Sequence, residues 1–247
     1  MPVRSETVER IAPGTLQETQ VEAMFDRIAG IYDRLNSVMT AGLHHEWRRR
    51  AADLATIGPG DRVLDVATGT GDLALELARR VAPSGEVVGA DFSERMLALA
   101  REKAERTAAS APVRFEAGNA LALPYPDDSF DAATVGFGAR NFSDLRQGLS
   151  EMARVVRPGG HVVVLEITSP HRPPLSTFFS LWFDRVVPVL GRLAGDADAY
   201  SYLPQSVRRF PGPEPLAALM WDCGLRRIRY VLTAGGIIAL HMGEVAS

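Results

Sequence analysis

Two glycines and a distant aspartate are the first residues whose spacing implies chemistry. Gly69 and Gly71 directly follow the apolar run Val63-Leu64-Asp65-Val66, and Asp91 lies twenty positions beyond Gly71. A glycine pair lets the backbone turn sharply and lets a ligand approach without a Cβ in the way. Leu73, Ala74, Leu75, Leu77 and Ala78 then open a helix. Residues 86–91, Glu-Val-Val-Gly-Ala-Asp, read as the next strand, with a carboxylate at its C-terminal end. In a doubly wound sheet that carboxylate faces a ribose held over the first turn. The unit reads as a nucleoside binder.

Gly69-x-Gly71-x-x-Ala74 also satisfies the dinucleotide fingerprint, so the glycines alone do not choose the nucleoside. Asp65, four residues before Gly69 at the end of the first strand, would repel a pyrophosphate and attract an ammonium or sulfonium. The third strand, 113–117, runs into Gly118-Asn119-Ala120. One Asn amide can accept from adenine N6 and donate to N1. The ordered set points to S-adenosylmethionine: amino-acid tail near Asp65 and Gly69–Gly71, ribose on Asp91, adenine by Asn119. Taken singly, Asp65 also reads as a strand-end cap and Asn119 as a turn residue. An NAD-dependent oxidoreductase would lack Asp65 and carry an acid–base pair such as Tyr with Lys. A non-catalytic nucleotide-binding subunit would share the glycine loop, and only product detection would separate it. No spacing of Cys, His or carboxylates suggests a metal.

The elements that must position these groups alternate along the chain. Residues 1–18 are polar and aperiodic and read as a mobile arm; 19–57 carry helical spacing in several short pieces, a helical cover. Strands are expected at 62–67, 86–91, 113–117, 130–137 and 161–168. Helices are expected from 72 to about 81, then at 93–107 and 143–156, the last ending at Arg157-Pro158-Gly159-Gly160. That alternation implies a parallel sheet with helices on both faces. Residues 173–194 hold Phe178, Phe179, Trp182, Phe183, Val186 and Val187, but Asp184, Arg185 and Pro188 interrupt them. A segment so broken does not span a membrane. It reads as an amphipathic insertion over the sheet edge, either ordinary core packing or a lid for a greasy substrate. A helix at 213–223 and two closing strands, 225–232 and 236–242, complete a single domain over 19–247, in which 58–168 is the cofactor-binding core and 169–224 the substrate-side insertion.

The chain has 247 residues, 46% hydrophobic and 23% charged, with a formal net charge of −3. That supports a sizeable core and gives no basic field for nucleic acid. Trp47-Arg48-Arg49-Arg50 is a local basic cluster and reads as a solvated helix end. A single cysteine, Cys223, excludes an intrachain disulfide. With no signal peptide in the polar, mixed-charge N-terminus, the expected location is cytoplasmic.

Narrower segments carry a resemblance. Leu64-Asp65-Val66-Ala67-Thr68-Gly69-Thr70-Gly71-Asp72, Phe25-Asp26-Arg27-Ile28-Ala29 with Tyr32-Asp33, Asn36, Met39, Gly42 and Trp47-Arg48, and Gly136-Phe137-Gly138-Ala139-Arg140-Asn141 all resemble the C-methyltransferases of ubiquinone and menaquinone biosynthesis. So do Asp196-Ala197-Asp198, Tyr200-Ser201-Tyr202-Leu203, Ser206 and Leu232-Thr233-Ala234-Gly235-Gly236. The likeness spans about residues 21–243. It departs at Thr68, where many members have a glycine, and at Gly136, where many carry a serine. It implies a Rossmann-like class I S-adenosylmethionine-dependent methyltransferase with a seven-stranded, mostly parallel sheet. Cofactor contacts are implied at Thr70, Asp91, Asn119 and Ala120, and at Gly136 through backbone only. The implied reaction moves a methyl from the sulfonium to a ring carbon of a polyprenylated naphthohydroquinone; the alternative acceptor is another small aromatic or lipid-like molecule such as a benzoquinol. Arg140 is the candidate for stabilising the ring oxyanion, and Tyr32 for passing the proton or orienting the ring. His44 or His45 is a further candidate base. Expected partners are the prenylated quinol, the inner face of the membrane as a peripheral contact, and a second copy of the chain.

Overall fold

Val63, Leu64, Val66, Val87, Val88 and Ala90 are all wholly or almost wholly buried in two adjacent parallel strands. Strands covered on both faces have no polar side, which is why these segments read as continuous apolar runs. They belong to a computed structural model that describes residues 18–107, 109–170, 173–182, 185 and 197–246. The expected arm lies almost wholly outside the described residues, as do Phe183, Asp184, Val186, Val187 and Pro188 of the insertion, and Asp196.

The strands are β1 (Arg62–Val66), β2 (Glu86–Asp91), β3 (Val113–Ala117), β4 (Phe130–Gly136), β5 (Val156–Ile167), β6 (Leu225–Thr233) and β7 (Ile238–Val245). They form one seven-stranded sheet in the order β3-β2-β1-β4-β5-β7-β6. The first five are parallel; β7 runs antiparallel between β5 and β6, closing the sheet with the expected hairpin. Helices α1 (Glu18–Thr40), α2 (His44–Leu54), α3 (Asp72–Val81), α4 (Glu94–Thr107), α5 (Leu145–Val155), α6 (Leu175–Leu181), α7 (Ala197–Arg209) and α8 (Pro213–Asp222) surround it. Two cores result. Trp47, Ala51, Leu73, Leu77 and Leu97 fill one, and Leu149, Met152, Leu216 and Met220 the other. Chain order reverses between β1 and β4, so a crevice opens above their C-terminal ends, where ligands of such sheets bind.

Two boundaries differ from the sequence reading. The cover is one 23-residue helix, α1, followed by the short α2, rather than several pieces. Apolar residues at alternating three- and four-residue intervals are what a single helix of period 3.6 requires. Its buried face, Val21, Met24 and Ile28, packs with Tyr202 of α7. β5 begins at Val156, ahead of the Pro-Gly-Gly sequence, because a register shift against β4 between Phe130 and Ala132 absorbs it. No helix among the described residues is long and apolar enough to cross a membrane.

Candidate active site

The β1–α3 loop is held in a shape few residues tolerate. Gly69 and Gly71 take φ of 56° and 81°, and Ala67 takes 51°. A Cβ on Gly71 would lie 2.8 Å from the Phe115 ring. Asp91 fastens this loop from the end of β2: its Oδ2 accepts the Gly69 N–H at 2.8 Å, and its Oδ1 accepts the Ser93 N–H at 2.9 Å. Burial raises its carboxyl above the usual range, and the donated N–H groups act against that rise.

Above the loop lies a cavity of about 240 Å³, lined by Thr68, Gly69, Thr70, Asp91, Asn119, Ala120 and Gly136 among others. The order of strand ends sets the order of its groups: Asn119 after β3, Asp91 at β2, the glycines after β1 and Gly136 at β4. At about 4.8 Å between strands, those four ends span roughly 14 Å. An adenosyl group with an amino-acid tail fits this set: the Asn119 amide, whose Oδ1 also accepts the Leu121 N–H at 2.8 Å, for the base, a carboxylate for the ribose, and the glycine turn between Thr68 and Asp72 for the tail. At Gly69, open space stands where a Cβ would be. A Cβ on Gly136 would lie 3.1 Å from Leu73, so this position is tight as well as lacking a hydroxyl.

Asp65 requires a correction. It sits inside β1, 1% exposed, behind the loop and not on the cavity wall. Its two oxygens accept the Thr68 and Thr134 hydroxyls, both at 2.7 Å. Burial pushes its carboxyl up to about 6, against those two hydrogen bonds. The acidic group on the wall at this end is Asp72, at the start of α3. Burial alone would raise Asp72, but Arg48 and Lys103 outweigh it and hold the carboxyl below its ordinary value. Thr70 donates its hydroxyl to Asp33 of α1 at 2.6 Å, and Lys103 of α4 reaches Asp33 and Asp72, each at 2.6 Å.

A second cavity of about 420 Å³ adjoins the first, sharing Tyr32, Arg48 and Phe137 as common wall. Most of its lining is apolar: Met39, Leu43, Trp47, Phe179, Trp182, Leu203 and Ile237 are among it. Arg140 stands on this wall with Tyr32. Glu166, 1% exposed, accepts the Arg140 backbone N–H at 3.1 Å and its Nη1 at 2.9 Å, while Arg140 Nη1 also donates to the Phe137 carbonyl. The buried Nε of Arg140 has no acceptor among the described residues. Burial opposes the Arg140 charge, but Glu166 more than offsets it and keeps the guanidinium protonated. Asn141 accepts from the Tyr202 hydroxyl at 3.2 Å.

His44 is poorly suited to act as a base. His44 lines the second cavity, but its Nδ1 accepts from Arg48 and its Nε2 lies 3.1 Å from the Ser37 hydroxyl. Burial and the Arg48 charge lower it to about 4. The fold does assemble His44, His45 and Asp72 within 4.8 Å, a grouping no sequence spacing suggests. The Arg48 guanidinium, bonded to His44 and 3.6 Å from Asp72, places a fixed positive charge among them. Arg48 itself is the residue that sequence reasoning missed. Of the arginine cluster, Arg49 and Arg50 pair with Glu46 outside, whereas Arg48 is 7% exposed and stands between the two cavities. Helical phase held the signal, because Arg48 shares a face with His44, Ala51 and Ala52.

Fold and site together define a class I S-adenosylmethionine-dependent methyltransferase. A solved methyltransferase of that type from Thermotoga maritima superposes with a TM-score of 0.63 at 19% identity, over 90% of this chain and 98% of that one. The ubiE/COQ5 methyltransferase family model matches residues 14–245, and the chain belongs to that family. It is 50% identical to the demethylmenaquinone methyltransferase of Thermus thermophilus over 90% of this chain and 99% of that protein. Identity to the enzyme of the same name from Deinococcus radiodurans is also 50%, over 91% and 92% of the two chains.

Proposed function

We propose that this protein methylates a ring carbon of a demethylmenaquinol, giving menaquinol. The observation that carries the reading is the pair of adjoining cavities, one with nucleoside-binding groups and one mostly apolar, meeting at Tyr32, Arg48 and Phe137. Bound S-adenosylmethionine supplies an electrophilic methyl on a sulfonium. The protein's task is then to hold the acceptor carbon in line, about 3–3.5 Å away, and to make it nucleophilic. Arg140 does the second by stabilising the oxyanion of the hydroquinone, with its unpartnered Nε–H as one donor and Glu166 fixing the guanidinium plane. Tyr32, on the shared wall, orients the ring and receives or relays the hydroxyl proton; as the S–CH3 bond breaks and the C–CH3 bond forms, the C–H proton of the acceptor carbon is then lost and the ring oxygen regains a proton, restoring the quinol. The prenyl tail leaves past Val38 and Leu43, which line the larger cavity yet are 71% and 53% exposed. With Leu181 nearby in sequence to the lining residue Trp182, these side chains make a peripheral contact with the inner face of the membrane.

Replacement of Arg140 by Lys keeps a charge opposite Glu166 but loses the planar fork of donors. Turnover at saturation falls on the order of 10²–10³-fold, while S-adenosylmethionine affinity stays within about twofold of the parent. A normal saturated rate on a short-chain demethylmenaquinol would make Arg140 structural. The function is tested by mass spectrometry of quinones in cells lacking and regaining the gene. Demethylmenaquinone accumulates without it and disappears on restoration. Accumulation of an unmethylated benzoquinone instead would assign the alternative acceptor.

A further inference from the structure

We infer that Arg48 and Asp72 form a charge pair that recognises the amino-acid end of S-adenosylmethionine, with Arg48 holding its carboxylate. This rests on the cofactor reading above and adds a subsite to it. If base and ribose lie over β3 and β2, on Asn119 and Asp91, the tail falls over β1 and the start of α3. Arg48 reaches that point from α2: its Nη2 lies 3.6 Å from Asp72 Oδ2, and its guanidinium sits 5.6 Å from the Phe137 ring centre. Among the described residues lining the cofactor cavity, Arg48 is the one cation, beside Glu22, Asp72 and Asp91.

The chemistry follows from the tail itself. Its carboxylate and ammonium sit on one carbon, so a complementary site needs a cation and an anion a few ångströms apart. Asp65, off the cavity wall with both oxygens taken by hydroxyls, does not offer the anion; Asp72 does, because it lines the wall with Lys103 on its Oδ1 and its Oδ2 facing Arg48 at 3.6 Å. The Arg48–Asp72 separation exceeds hydrogen-bond reach, so a bound carboxylate can take guanidinium N–H groups without breaking a short internal bond. Arg48 Nη1 is fixed by His44, which aims the side chain and leaves the rest of the fork for the ligand. The N-terminus of α3, next to Gly71, adds backbone N–H groups favourable to the same anion. Because Arg48 also lines the acceptor cavity, anchoring the carboxylate sets where the methyl stands relative to the ring.

Calorimetry with S-adenosylmethionine and its decarboxylated counterpart, which keeps the sulfonium and the ammonium, tests this. The parent protein prefers the carboxylated form by roughly 10- to 100-fold, the range of a charge-assisted hydrogen bond. In Arg48→Gln that preference falls to within about threefold, and 5′-methylthioadenosine, which lacks the whole tail, still binds as in the parent. If Arg48→Gln loses 5′-methylthioadenosine as well, Arg48→Lys takes its place and retains only part of the preference. An unchanged preference in whichever variant binds 5′-methylthioadenosine normally overturns the inference. Absence of S-adenosylmethionine binding by the parent protein would overturn the cofactor reading itself.

Discussion

Asp91 and Asp65 lie on neighbouring strands, and both are raised by burial, yet they have different tasks. Asp91 ends its strand, lines the cavity and holds the Gly69 N–H, so its loss removes a brace of the loop and, on the proposed reading, a ribose partner. Asp91→Ala is expected to weaken S-adenosylmethionine binding by about 1.5–3 kcal/mol in calorimetry; unchanged affinity with the fold intact would remove the ribose role. Asp65 titrates near 6 in the fold against an ordinary 3.8. A carboxyl raised by folding is most favourable to the native state below its unfolded value and loses that contribution as pH rises through the folded one. Urea unfolding of the parent and of Asp65→Asn should therefore show the parent losing stability relative to the variant, on the order of 3 kcal/mol, between about pH 4 and pH 6. A constant difference would mean that Asp65 is already ionised when folded. Asp91, Asn119 and the glycines were legible in the sequence because strand ends are marked by where apolar runs stop. The direction of Asp65 was not, because one residue's difference in the strand end decides whether a side chain enters the crevice or the sheet's covered face.

Helix α1 closes one side of the cofactor cavity, contributing Thr19, Val21, Glu22, Phe25 and Tyr32 to its wall. Two polar clasps seat it on the sheet. Asp26 accepts the Ser93 hydroxyl at 2.5 Å, beside Asp91, and Asp33 meets Thr70 and Lys103 beside the glycine loop. Asp33 is partly exposed, so its contribution is modest, about 1 kcal/mol after solvent screening. Asp33→Ala should speed amide hydrogen exchange across α1 by roughly fivefold while β1, β2 and β4 keep their protection. Acceleration shared by the whole sheet would show a global effect instead, and no change would leave the clasp without weight. Parallel strands could be read directly, since burial on both faces writes their pattern. The clasps could not: Asp33, Lys103 and Arg48 lie on helices whose exposed and inward positions look alike in sequence until tertiary packing fixes their phase.

At the scale of the whole molecule, the sheet does little chemistry but lines up four strand ends, and the N-terminal helices and α6 add an apolar chamber beside them. The closing hairpin contributes Ile237 and Ile238 to that chamber, so the cover, the core and the C-terminal strands all meet at the acceptor. Such an arrangement brings a polar donor and a greasy acceptor to one wall without mixing their environments. On the proposed function, a methyl crosses this wall to carbon. The direct measurement incubates the purified protein with S-adenosylmethionine carrying a deuterated methyl and with a reduced short-chain demethylmenaquinone, followed by mass spectrometry and NMR of the product. The label is expected on the quinone ring carbon, and none when the acceptor is supplied oxidised, because a quinone has no hydroxyl to feed the ring. Label on a ring oxygen, or equal transfer to the oxidised acceptor, would contradict it.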